Sequence, residues 1–222
     1  PALTNDLLVK VCSYITDPVT TTDELIPSGE TSSYRSNPER LSEFALSRRD
    51  PQYVGRSKVM RQIERDREAG KALPEEVMKV YEALTKAGIA NDPANTDIGS
   101  TIFANMPGDG SAREQAASCQ RVMGASANFA KQYATKRYRS NCINWGMTPF
   151  LVEDPEVFEL GDYIFVPGLR EAVLENKASF SAYAVKPDGT VTEFPVSTGA
   201  LTEAERQIIA DGCLINYYRN NQ

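Results

Sequence analysis

The sequence predicts an α/β fold, and three observations carry that prediction. A short apolar run, a glycine-rich turn and a helix-compatible stretch follow one another over residues 98–123; two strand-like segments flank the turn Pro187-Asp188-Gly189; and the last helix is announced by a capping box. With 222 residues, 41% of them hydrophobic, the chain can bury one sizeable core or two small ones.

Taken in order, Leu7 to Tyr14 is apolar enough for a strand and runs into the hydroxyl-rich stretch Asp17 to Ser36, which reads as a long loop. From Arg56 to Gly70 charges alternate in sign at helical spacing. Pro74 to Ala87 sets Val77, Tyr81 and Leu84 on one face before Gly88, so two surface helices are predicted. Polar residues and Pro93 break the pattern between Asn91 and Asp97. Ile98 to Asn105, with Ile102 and Phe103, then reads as a buried strand, Pro107 to Ser111 as the turn, and Ala112 to Met123 as the helix that completes the unit. Tyr163 to Val166 is a compact apolar strand. Phe180 to Val185 and Val191 to Phe194 make a hairpin across Pro187-Asp188-Gly189. Thr202, with Glu205 three residues on, opens a helix through Ile208, Ile209 and Leu214. There is no internal repeat.

A net charge of -6 repels a polyanion at long range, so nucleic acid is disfavoured as a partner. The basic run Lys131, Lys136, Arg137 and Arg139, interleaved with Tyr133 and Tyr138, is the one candidate RNA patch and reads instead as a solvated face. No apolar run approaches membrane-spanning length and no secretory signal opens the chain, so a cytoplasmic protein without a membrane partner is expected. Cys12, Cys119, Cys142 and Cys213 lie far apart with no C-x-x-C pair, and histidine is absent. Free, mostly buried thiols follow, with no metal or cofactor held by this chain. Without histidine the commonest general base is missing, as is every Ser-His or Cys-His arrangement, which disfavours a self-contained hydrolase.

The chemistry concentrates at the glycine-rich turn. Gly108 and Gly110 permit positive φ, and the amides at the start of the following helix face any anion above them. Ser111 and Arg113 stand at that position. Arg113 offers a two-pronged donor for a carboxylate or phosphate, and the same field favours Ser111 in its deprotonated form. The bland alternative makes Ser111 an N-cap and Arg113 a surface helix residue.

Gly108-Asp109-Gly110-Ser111-Ala112-Arg113-Glu114 resembles the G-x-G-S-S-R-E loop of aconitases, isopropylmalate dehydratases and related hydratases. Thr21-Thr22-Asp23-Glu24-Leu25-Ile26-Pro27-Ser28-Gly29 resembles the T-T-D-H-I-S-x-x-G segment that precedes it in the same domain. Asn128-Phe129-Ala130 and the stretch Asn141 to Phe150 are similar to the family's S-F-A and N-x-x-x-x-G-L-L-P, and Gly161-Asp162 to its G-D turn. The resemblance runs from about Leu7 to the last helix and is weakest between about Ser36 and Ala90. It implies the three-layer swivelling domain of the aconitase type, with a mixed β-sheet or partial barrel flanked by helices, across residues 1–222 with a helical insertion at about 36–97.

The implied activity is reversible dehydration of a hydroxy di- or tricarboxylic acid. By resemblance, Ser111 is the proton-abstracting base and Asp23 the aspartate of the T-T-D motif. Arg113 and Arg35 bind substrate carboxylates, and Ala112 lies in the substrate-binding position of the motif's second serine. Glu24 likewise replaces the family's histidine, so the substrate need not be citrate or isocitrate. A 4Fe-4S cluster is expected in a partner domain or subunit, and this chain alone is expected to be inactive. Because the chain opens on Pro1, and because of its long 36–97 segment, excision from a single-chain enzyme is expected; the alternatives are a natural small subunit and a non-catalytic anion-binding module.

Overall fold

The computed structural model describes residues 2–27 and 37–222. Strand β1 (Asp6–Ile15) sits at the centre of the sheet and is buried on both faces. Leu7, Val9 and Val11 face one core and Leu8 and Cys12 the other, the period of two that a strand imposes. The register against the neighbouring strand jumps from Val11 to Ser13, leaving Cys12 as an extra residue. This bulge reverses the alternation, so that Ile15 joins the Leu8 core and Tyr14 packs against the other.

The seven-stranded order is β6-β5-β3-β1-β7-β8-β9. On one side of β1, β3 (Thr96–Ala104), β5 (Ala125–Ala130) and β6 (Thr148–Leu151) run parallel; on the other, β7 (Tyr163–Val166), β8 (Phe180–Val185) and β9 (Val191–Val196) are antiparallel. The sheet curls until its edges meet. The Leu151 amide donates to the Ser197 carbonyl at 2.7 Å and the Ser197 amide to the Leu151 carbonyl at 3.1 Å. Closure of this kind removes two open edges. Inside the curl Phe158 touches rings from opposite walls, Phe103 of β3 at 5.7 Å and Phe194 of β9 at 5.6 Å between centroids. Helices α7 (Leu169–Leu174) and α8 (Glu203–Asp211) add Leu169, Val173, Ile208 and Ile209 to that core. The aconitase-type expectation of a mixed sheet or partial barrel flanked by helices holds.

The other face is covered by α3 (Tyr53–Glu68), α4 (Glu75–Lys86) and α5 (Arg113–Val122). The two helices predicted within the 36–97 segment are amphipathic and not simply surface helices: α3 begins at Tyr53, before the predicted Arg56, and buries Tyr53, Val54, Ser57, Met60 and Ile63. Polar groups join this segment to the sheet. Ser57 Oγ lies 2.6 Å from Ser100 Oγ and donates to the Met123 carbonyl at 2.8 Å. Arg56 Nε donates at 2.8 Å to the carbonyl of Cys12, the bulged residue.

Several elements were not predicted. Within the supposed loop, β2 (Thr20–Thr21) and the one-turn α1 (Thr22–Leu25) appear, followed by α2 (Pro38–Ser42). A short β4 (Pro107–Asp109) precedes α5, and α6 (Lys136–Asn144) occupies most of the basic run. The last helix does not continue into Leu214: Gly212, at φ 100, ends α8, and α9 (Leu214–Asn220) starts afresh. All four cysteines are free; Cys12, Cys119 and Cys142 are buried and Cys213 is partly exposed. No helix among the described residues is long and apolar enough to cross a membrane.

Candidate functional site

Strand β3 delivers the chain to the glycine loop, and the loop docks on the T-T-D segment. Strands β2 and β4 pair in parallel, Thr20 opposite Pro107 and Thr21 opposite Asp109, so two motifs distant in sequence form one small sheet. Both glycines are required by position. Gly110 stands at φ +135, and a Cβ there would lie 2.3 Å from Thr22 Oγ1; Gly108 stands at φ +99, with Tyr138 ring carbon 2.4 Å from where its Cβ would be. Ser111 is exposed and precedes Ala112, which is the N-cap of α5 without a side-chain capping bond. Ser111 is therefore not the N-cap that the bland alternative made it. Arg113, the first residue of α5, donates from Nη1 to the Gly110 carbonyl at 2.5 Å.

Asp23 lies in the single turn of α1, whose N-cap is Thr21. The Thr21 amide donates to Glu24 Oε2 at 2.7 Å and the Glu24 amide to Thr21 Oγ1 at 3.2 Å, a complete capping box. Glu24, the departure from the family's histidine, thus has a local structural task. The Asp23 carboxylate accepts from Arg48 Nη1 at 2.9 Å. Arg48 was not foreseen as part of this site. It belongs to the turns after α2, which are tied to α1 by the Leu46 amide donating to the Leu25 carbonyl at 2.9 Å. Leu46 is fully buried and holds φ 56, a conformation unfavourable for leucine. No local pattern in the sequence marks Arg48, because its partner comes from another segment. Arg35, with Ser28 and Gly29 of the T-T-D motif, lies outside the described residues.

A shallow depression of about 330 Å³ opens beside Ser111, lined by Arg113, Glu114, Lys136, Arg137 and Asn141 among others. The basic run is divided by its structure. Lys131, Lys136 and Arg137 are exposed, whereas Arg139 donates to the Thr198 and Ala200 carbonyls at 2.9 Å each and pairs with Glu205 at 3.7 Å. Tyr138 is fully buried, and the Tyr133 hydroxyl donates to the Phe150 carbonyl at 3.0 Å. The fully buried Tyr138 ring is not available to stack on a base. Among the described residues no group of three or more His, Cys, Asp or Glu side chains is placed to hold a metal ion.

No family model matches the chain. It is, however, 30% identical over 138 residues to the methanogen homoaconitase small subunit of Methanocaldococcus jannaschii, a match covering 61% of this chain and 72% of that protein. The chain belongs to the aconitase and isopropylmalate dehydratase superfamily, as a small subunit or swivelling domain. Its fold agrees with that membership: a crystal structure of 3-isopropylmalate dehydratase from the same organism superimposes with a TM-score of 0.57 at 19% identity, over 96% of this chain and 95% of that one. In this superfamily member, then, the loop with Ser111 and the turn with Asp23 lie side by side at one end of a curled sheet.

Proposed function

We propose that the chain is the carboxylate-binding, base-supplying part of an aconitase-like hydro-lyase that reversibly dehydrates a hydroxy di- or tricarboxylic acid. The observation that carries this reading is the β2–β4 pairing, which joins the Asp23 turn to the Gly108–Arg113 loop. In this reading residues 1–222 are one swivelling domain, with the segment at about 36–97 inserted in it.

Ser111 takes the carbon-bound proton. Its deprotonated form is favoured by the amide end of the ten-residue α5 and by the guanidinium of Arg113. Arg113 holds one substrate carboxylate, with Arg35 assigned to another, so that charge developing next to a carboxylate is met by groups already in place. Ala112 takes the substrate-binding position of the motif's second serine without its hydroxyl. Asp23 assists from across the small sheet, its carboxylate oriented by Arg48. The cluster of the partner would supply the Lewis acid that accepts the leaving hydroxyl. In this reading the chain depends on that partner for the metal.

The test is dehydration activity of the chain combined with a cluster-bearing large subunit, followed by absorbance of the unsaturated product over a panel of 2- and 3-hydroxy di- and tricarboxylates. Turnover requiring both parts is expected, with Ser111→Ala lowering the rate by roughly three orders of magnitude or more. Unchanged turnover in Ser111→Ala would reduce the loop to a binding module and sink the reading. A second arrangement, a naturally separate small subunit, is favoured by the character of the relative, itself a small subunit. It shares the same chemistry and predicts a stable complex with the large subunit on gel filtration without a covalent link.

A further inference from the structure

We infer that the first turn of α6, through Lys136 and Arg137, forms a subsite for a distal carboxylate of the substrate, apart from the one held by Arg113. This rests on the function proposed above and narrows it to acids carrying at least two well-separated carboxylates. Arg113, Lys136 and Arg137 line the same depression as Ser111, with Glu114 the one acidic side chain beside them, so the local balance is positive.

The position of α6 against the loop is fixed. The Ala134 amide donates to the Pro107 carbonyl at 3.0 Å, the Thr135 hydroxyl donates to the Gly108 carbonyl at 3.4 Å while accepting from the Tyr138 amide at 3.0 Å, and Gly108 packs directly on Tyr138. The backbone that carries Lys136 and Arg137 is therefore fixed relative to the Ser111 loop. Their placement also works against the helix. Cations in the first turn oppose the helix dipole, and that turn has no acidic residue to balance them. Among the described residues neither forms an ion pair, whereas Arg139 on the same helix is engaged by Glu205 and two carbonyls. Two exposed cations at a helix N-terminus, next to an anion-binding loop, are placed for a ligand and not for the fold. A carboxylate bound there gains charge-assisted hydrogen bonds and relieves the repulsion.

The experiment titrates the chain, at low salt, with propane-1,2,3-tricarboxylate, glutarate and acetate, followed by amide NMR shifts. Lys136→Gln/Arg137→Gln is expected to weaken the tricarboxylate and glutarate by about five- to tenfold, to leave acetate unchanged, and not to lower the melting temperature, since the removed charges oppose the helix. Equal affinity for the tricarboxylate in wild type and double variant overturns the subsite, as does an equal loss for acetate or the absence of any shift at residues 134–141. The two readings fail separately: turnover with an unchanged KM in the double variant removes the subsite alone, whereas carboxylate binding here with Ser111-independent turnover removes the base-supplying role proposed for the loop alone.

Discussion

Two glycines place Ser111 one residue ahead of the α5 N-cap, exposed and beside the T-T-D turn. Their demand differs from that of a turn glycine such as Gly189, which also has positive φ, at +89, but meets nothing within 4 Å. Gly189→Ala should cost about 1 kcal/mol for conformation alone. Gly108→Ala and Gly110→Ala add steric overlap with Tyr138 and Thr22, and are expected to cost about 1–3 kcal/mol and to move the loop. Urea denaturation of the three variants measures the contrast; equal small losses would mean that the loop yields freely. Ala112 belongs to the same scale. Ala112→Ser restores the hydroxyl of the family motif and is expected to tighten carboxylate binding by about 1 kcal/mol, read as a lower dissociation constant for propane-1,2,3-tricarboxylate.

At the scale of elements, the T-T-D segment is held as a helical turn by the Thr21–Glu24 capping box and as a strand by its pairing with Asp109. Glu24→His, which restores the family residue, should therefore lose about 1 kcal/mol of stability and disturb Asp23 next to it. Stability of Glu24→His at or above wild type would show the box to be dispensable. The same segment shows why part of the site was not legible. Thr21-x-x-Glu24 is a capping-box spacing, but four residues of helix inside a hydroxyl-rich stretch leave no periodicity to detect. Strand β5, Ala-Ser-Ala-Asn-Phe-Ala, was missed as well, because it lacks β-branched residues and is almost wholly buried, so it neither alternates nor shows strand propensity. Helix α6 was hidden by its charges, which run against the usual order of acid first and base last. The strands that were predicted, β1, β3, β7 and the β8–β9 hairpin, are the ones rich in Val, Ile, Tyr and Phe or flanked by a clear turn.

The whole molecule buries three of its four thiols, and burial pushes Cys12 and Cys142 up to about 12 and Cys119 up to about 11, from an ordinary value of 9.0. In the fold these thiols keep their protons while in the unfolded chain they begin to lose them near pH 9. The unfolded state then binds fewer protons, so stability is complete below about pH 9 and falls as pH rises toward the folded values, by up to about 1.4 kcal/mol per pH unit for each thiol. Urea midpoints are expected to drop between about pH 9 and about pH 10.5, and a flat profile would contradict this burial. In the native state one thiol, the partly exposed Cys213, should react promptly with a thiol reagent, and the other three only on unfolding.

By itself the sequence determined the α/β class, the strand, glycine-turn, helix unit and the order of motifs that points to the superfamily, because each is written in neighbouring residues whose propensities and turn chemistry act locally. The tertiary structure alone decided that Asp23 lies beside the Ser111 loop, that Arg48 holds its carboxylate, that Cys12 is bulged and its carbonyl taken by Arg56, and that the sheet closes from Leu151 to Ser197. Each of these joins residues from separate segments. Their energies depend on distances that exist only once both cores are packed.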